Sequence, residues 1–244
     1  MLTFIISTLK IIILLGFLVL IHEGGHFLVA KFFKIKVNEF AIGFGPTIFT
    51  KEKGETKYAL RLIPLGGFVN MEGEEERSDE EGSFSMASIP KRIAIVAAGG
   101  LVNIFFGILI YYVIASISEN NLYHGLIYTK DFIVSILESI IMLFSGGVSA
   151  DQMVGIVGIS DIVVSTNGIM QYLYIMAVIS VSLGITNLLP FPPLDGGKIL
   201  IYLIEWVRRK PLKEETELKI QTWGFAILIA LAIYVTYNDI IRIF

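Results

Sequence analysis

Four stretches of this chain carry too few charges to sit in water. Ile93–Ile117 is 25 residues without a charge, directly after Lys91 and Arg92. Residues 162–194 form an uncharged run of 33, whose core is Ile169–Leu189. Residues 220–238 give 19 more, between Lys219 and Asp239. Leu2–Ala30 is apolar except for Lys10, His22, Glu23 and His26. A bilayer core takes about 20 apolar residues as helix. The sequence therefore predicts four spans, near 3–30, 92–117, 169–190 and 219–241. Composition agrees: 55% of the 244 residues are hydrophobic, 17% are charged and the mean hydropathy is +0.74. Ordinary soluble domains carry about 25% charged residues. A net charge of −3 with a pI near 5.7 gives no basic footprint for nucleic acid, so that partner is excluded. The absence of cysteine excludes disulfides and thiolate metal ligands.

A fifth apolar stretch, Phe132–Phe144, has 13 residues and carries Glu138. It is too short to span, and a short interfacial helix over about 131–145 is expected before the third span. Lys10 followed by Ile11–Ile21 also resembles a signal peptide, but no small-residue cleavage site follows and the run continues into His22. Lys and Arg set the orientation. Ten lie in Lys31–Arg92, five in Glu205–Lys219, and one in Ser118–Gly168. The first two loops are thus cytoplasmic, and both ends of the chain face outward.

The Lys31–Arg92 loop contains two segments rich in β-formers, Val37–Thr50 and Lys57–Val69. A polar turn, Lys51–Thr56, separates them, which predicts a hairpin in a cytoplasmic β region over about 37–70. Gly43, Gly45, Gly66 and Gly67 mark bulges or close backbone approach within it. An acidic run with seven carboxylates, Glu72–Glu81, follows; a metal or basic partner is conceivable there, and a solvated loop is the reading adopted.

The chemistry concentrates in His22-Glu23-Gly24-Gly25-His26. On a helix, residues four apart share a face. Two imidazoles so placed can hold one Zn²⁺, and the adjacent carboxylate can deprotonate a water. Chance explains the pattern poorly, at roughly 0.002 occurrences per chain of this composition. Ionisable groups inside a span are costly and default to function. The rival reading is a polar cluster satisfied by neighbouring helices. Gly24 and Gly25 serve either close helix packing or room for a substrate backbone, or else are ordinary small-residue packing in a membrane, and the sequence does not separate these readings.

A catalytic zinc usually takes three protein ligands and keeps one open position. His124 falls in the outward loop, on the wrong side. Asp195 arrives at the cytoplasmic end of the third span, the same depth as His22 and His26. Three prolines and two glycines break the helix there, in Asn187–Gly197. Non-helical backbone at membrane depth is tolerated where it is buried or lines a wet cavity. Asp195 as the N-cap of a following helix is the alternative.

Together, His22–His26 in a first span and Asn187, Pro190 and Leu194-Asp195-Gly196-Gly197 after a third closely resemble the site-2 protease family of intramembrane zinc metalloproteases. The bacterial regulator-of-sigma-E protease branch is the nearer match. Gly43-Phe44-Gly45-Pro46, Arg61–Val69, Ala97–Gly100 with Asn103, and Gly155–Ile159 agree in order. The resemblance implies one zinc held by His22, His26 and Asp195, with Glu23 as general base. It also implies substrate binding at Asn187 and Pro190. A membrane-re-entrant β-hairpin carrying Gly43, Gly45, Gly66 and Gly67 would guide the substrate.

The fold expected is an all-α polytopic membrane protein with that hairpin between the first two spans, forming a single peptidase domain over 1–244. The substrate expected is a single-span regulatory protein or a membrane-held signal-peptide remnant in the bilayer of a bacterial cell. The active site would lie toward the cytoplasm, and an upstream site-1-type protease could cut first. Two departures stand out. Gly99-Gly100 replaces a common Gly-Pro, for which only a local packing change is expected. The 51 residues of Ser118–Gly168 leave no room for the PDZ domain that many relatives carry there. Two other function classes stay in view: a non-catalytic protein that keeps the fold, and an anchored peptidase cutting juxtamembrane peptides.

Overall fold

The computed structural model describes residues 2–74, 76–147 and 154–243. In chain order these form α1 (Leu2–Phe32), β1 (Val37–Lys53), β2 (Thr56–Met71), α2 (Ile89–Ser118), α3 (Leu122–Phe144), α4 (Ile156–Val164), α5 (Ile169–Asn187), α6 (Asp195–Arg208) and α7 (Glu214–Ile243). Four stretches are helical, long and apolar enough to cross a membrane: Ile5–Phe32, Ile89–Ser118, Ile169–Asn187 and Glu214–Arg242. Large apolar side chains along them stand exposed, Ile13, Phe105 and Phe225 among them. Lipid, not water, is the solvent that accommodates such a surface. The protein is a mostly helical, multi-pass membrane protein. Its third span stops at Asn187, short of Pro190, because proline lacks an N–H and disfavours helix in the residue before it. Leu188 and Leu189 tighten the last turn with bonds of 3.1 Å to the carbonyls of Ile185 and Thr186.

The chain divides into two compact units. One comprises Met1–Ile11, Ile104–Ser182 and Phe225–Phe244. Here α3 starts at Leu122, earlier than the apolar run suggested, because Asn121 caps it. The Asn121 side chain accepts from the N–H groups of Tyr123 and His124, at 2.8 and 3.2 Å. Tyr111 of α2 stacks on Phe132 of α3 with ring centroids 4.0 Å apart. Lys10, the one lysine of α1 within this unit, donates to the carbonyl of Thr166 at 2.9 Å. Asp239 is fully buried and accepts from the N–H groups of Gly155 and Gly158, each at 2.9 Å, while pairing with Arg242. The Gly155–Ile159 motif is thus a carboxylate-capped helix start. Between α2 and α5 the described residues form two helices and no strand.

The other unit comprises Ile12–Asn103 and Leu183–Gly224. Its sheet is built from two long, bent strands. Lys53↔Thr56 through Thr47↔Arg61 closes the expected hairpin. Nearer the membrane helices, Glu39–Ile42 pairs with Gly67–Asn70 and also with Lys57–Leu60. Gly43, Gly45 and Gly66 adopt φ of +87°, +82° and +107°, conformations glycine reaches without a Cβ penalty. Gly43 and Gly45 sit where the register shifts, between Ile42 and Thr47, and Gly66 lies on β2 between the partners of Ile42 and Phe44. A core of Ala30, Ile35, Val37, Met71, Phe84, Ile95, Val96, Ile201 and Tyr202 joins the end of α1, the sheet, α2 and α6. The acidic run folds back onto this core. Phe84 N–H donates to the Glu72 carbonyl at 2.7 Å, and Glu80 and Glu74 pair with Lys36 and Lys198 at 2.9 and 2.8 Å. Glu75 lies outside the described residues.

Candidate active site

Two glycines let α1 and α2 approach where the histidines lie. A Cβ on Gly25 would stand 2.6 Å from the Ala98 carbonyl oxygen, so only glycine fits that crossing. Gly24 faces open space. The pair that sequence alone could not separate thus divides: Gly25 is a packing glycine. On α2, a Cβ on Gly99 would run into His26 Nε2 and stand 2.9 Å from His22 Cε1. Gly99 is a wall of the site.

The helix break after α5 brings in the third group. Gly196 and Gly197 let the start of α6 nest against the backbone of Leu188–Pro192, where a Cβ would collide. Asp195 is thereby held over the histidine pair. His22 Nε2 and His26 Nε2 are 3.2 Å apart, and Asp195 Oδ2 lies 3.2 Å and 3.5 Å from them. The ligand atoms of the three residues all fall within 4.8 Å of one another.

The proton on His26 can be placed. His26 Nδ1 lies 2.9 Å from the Ile95 carbonyl oxygen, which can only accept, so Nδ1 carries the hydrogen. Nε2 of the neutral ring then presents a lone pair. His22 Nδ1 lies 3.4 Å from Nδ2 of Asn103, the nitrogen of its side-chain amide. Nε2 of both imidazoles and a carboxylate oxygen converge on one point. Asp195 Oδ2 is buried and has no hydrogen-bond donor among the described residues. One proton on an Nε2 would satisfy a single pair; a divalent cation satisfies all three. The donor set, two imidazoles and a carboxylate with no thiolate, suits zinc in a catalytic, open arrangement.

A cavity of about 240 Å³ adjoins the cluster, lined by His22, Glu23, His26, Phe68, Val69, Met71, Glu74, Val96, Asp195 and Lys198. Glu23 borders it from α1. A Cβ on Gly67 would stand 2.8 Å from the Ala41 carbonyl oxygen and 3.5 Å from Glu23 Cγ. Glycine there brings the β2 backbone against the acid. Asn187, Pro190, Gly43, Gly45 and Gly66 do not line the cavity. Burial lowers Lys198, and the Glu74 charge at 2.8 Å more than reverses that, leaving it above an ordinary lysine.

Sequence reasoning assigned no role to Asn103, Gly99, Lys198 or Glu74. Asn103 did leave a signal: it is a lone amide deep in an uncharged run, and it is fully buried. Polar groups at that depth need partners. Gly99 stood in the motif Ala97–Gly100 and Glu74 in the acidic run, but their partners, like that of Lys198, depend on which elements face each other.

Comparison with known proteins agrees with this site. Residues 10–231 match the model of peptidase family M50. Three proteins described as "putative zinc metalloprotease" are similar over nearly their full lengths. That of Fusobacterium nucleatum is 26% identical, covering 99% of each chain. That of Campylobacter jejuni is 27% identical, covering 98% of this chain and 94% of the relative. That of Clostridium perfringens is 29% identical, covering 92% and 95%. The first alignment runs over 342 residues against 244 in the chain, so that relative carries a long segment with no counterpart here.

Proposed function

We propose that this chain, which belongs to peptidase family M50 and is a zinc-dependent membrane protease, cleaves a peptide bond within or near the transmembrane segment of its substrate. The substrate class is a single-span regulatory protein or a signal-peptide remnant held in the same bilayer. The observation that carries this reading is the convergence of His22, His26 and Asp195, two of them in a membrane-spanning helix, beside Glu23. A water-soluble peptide does not need a site at that depth.

His22 Nε2, His26 Nε2 and an Asp195 oxygen would hold the zinc. A bound zinc supplies Lewis acidity that polarises the scissile carbonyl and makes a water acidic enough to attack near neutral pH. Glu23 accepts the proton of the attacking water on its carboxylate and returns it to the nitrogen of the leaving amine. The Ile95 carbonyl keeps the His26 imidazole in the tautomer that frees Nε2, and Asn103 orients the His22 ring.

A transmembrane helix hides its peptide bonds within its own turns, so the substrate must be drawn out into an extended strand. Gly67–Asn70 of β2 pairs only with β1 among the described residues, and Phe68 and Val69 border the cavity. Its other edge can take up an unwound substrate by strand addition. In this reading the hairpin carrying Gly43, Gly45, Gly66 and Gly67 re-enters the membrane. Asn187 and Pro190 hold the substrate backbone as it nears the zinc, and residues 1–244 act as one membrane-embedded peptidase domain. The positive-inside distribution puts the site toward the cytoplasm of a bacterial cell, with both ends outside. An upstream site-1-type protease would trim the substrate first.

The test is cleavage in proteoliposomes of a single-span substrate, with the cut mapped by mass spectrometry. A cut inside the apolar segment, absent with Glu23→Gln, is the expected result. Cuts confined to soluble flanks would instead indicate an anchored peptidase acting on juxtamembrane peptides.

A further inference from the structure

A second cavity, of about 470 Å³, lies away from the metal cluster. Arg77, Arg92, Arg209, Lys210 and Trp206 line it, with Glu205 as its carboxylate. Four cations thus face one acid. Glu205 is 3% exposed and already committed. It lies 3.4 Å from Arg92 and 3.6 Å from Arg77, and accepts the Leu212 N–H at 2.7 Å. Arg77 has a second, exposed partner in Glu214 at 3.8 Å. Arg209 and Lys210 have no carboxylate within 4.0 Å among the described residues. The buried Nε of Arg92 has no hydrogen-bond partner among them either. The cavity therefore holds positive charge that its own acid does not meet.

The position of the cavity in the chain favours one source of anion. Arg92 is the last charge before the uncharged run of α2, so it marks the polar end of a span. Lys210 and Pro211 lie in the short connection that leads into α7, another span. On α6, Leu203, Ile204, Trp206 and Val207 are exposed, up to 84% for Val207, beside the same cations. A helix with an exposed apolar face next to a basic cluster at the end of two spans sits at headgroup depth. Trp206 is the amphipathic ring such a depth favours.

We propose that this cavity binds the phosphodiester headgroup of an anionic phospholipid. Arg92, Arg209 and Lys210 contact the phosphate oxygens, and the exposed face of α6 packs on the acyl chains. Arg guanidinium and Lys ammonium are the groups phosphate selects. The site is separate from the peptidase chemistry, and its occupancy fixes the start of α2 relative to α6, the two elements that carry Gly99 and Asp195.

The test uses the purified full chain in zwitterionic detergent, titrated with short-chain phosphatidylglycerol and followed by native mass spectrometry and melting temperature. One to two bound lipids and a raised melting temperature are expected, with no response to phosphatidylcholine. The double variant Arg209→Gln/Lys210→Gln should bind roughly thirty-fold more weakly, since each basic residue at a membrane surface contributes about a factor of five. Lys51→Gln/Lys53→Gln removes two cations from the exposed hairpin and should bind like wild type. Equal binding by wild type and the Arg209/Lys210 variant would overturn the proposal. So would an equal loss with the hairpin variant, which would mean diffuse attraction. Saturation by inorganic phosphate or glycerophosphate at the same concentrations would show a free-anion site and overturn the lipid assignment.

Discussion

His26 Nδ1 lies 2.9 Å from the carbonyl oxygen of Ile95, a bond from the first span to the second. It decides which nitrogen faces Asp195, and so whether the cluster is a hydrogen-bonded trio or a set of metal ligands. The partner of His22, by contrast, is a side chain and can be removed. Asn103→Ala should lower zinc affinity by about 10- to 100-fold, the usual cost of losing a ligand's outer hydrogen bond. Competition with a chelator of known affinity measures it. Unchanged affinity would show that His22 is oriented by other means.

Gly99 and Gly24 make a matched pair. Gly99→Ala drives a methyl into both imidazoles and should abolish or severely weaken zinc binding while the helices remain formed. Gly24→Ala meets nothing and should keep zinc at the wild-type level. Zinc analysis with circular dichroism on both variants distinguishes a filled site from a disrupted fold.

Much of this was legible in the sequence, because the strongest rules act locally. Uncharged length marks spans wherever they occur, and His22 and His26 share a face on any helix. Asp195 could be placed near them because topology fixes depth. The boundaries of α3 were less legible. Hydropathy sees Phe132–Phe144, whereas the helix is set by the cap at Asn121. The contacts of Gly99, Glu74 and Lys198 were not legible, since packing between elements leaves no periodic trace in either one.

The Lys198–Glu74 pair sets a pH expectation. The folded-state pKa of Lys198 is raised, so its contribution is present at every pH below the ordinary lysine value of about 10.4. It is lost only as pH rises through the higher folded value. Lys198→Met should cost on the order of 1 kcal/mol for this part-exposed pair. The difference in melting temperature from wild type should stay constant from about pH 7 to 10. A difference that shrinks across that window would mean that Glu74 does not hold the lysine charged.

The central claim is that His22, His26 and Asp195 hold one zinc. Zinc per mole of folded protein, measured on wild type and on Asp195→Ala, tests it most directly. The account predicts one zinc in the wild type and its loss or marked weakening in the variant, with the helical content of both unchanged. A folded wild type that takes up no zinc, or an Asp195→Ala protein that holds it as tightly, would contradict the account.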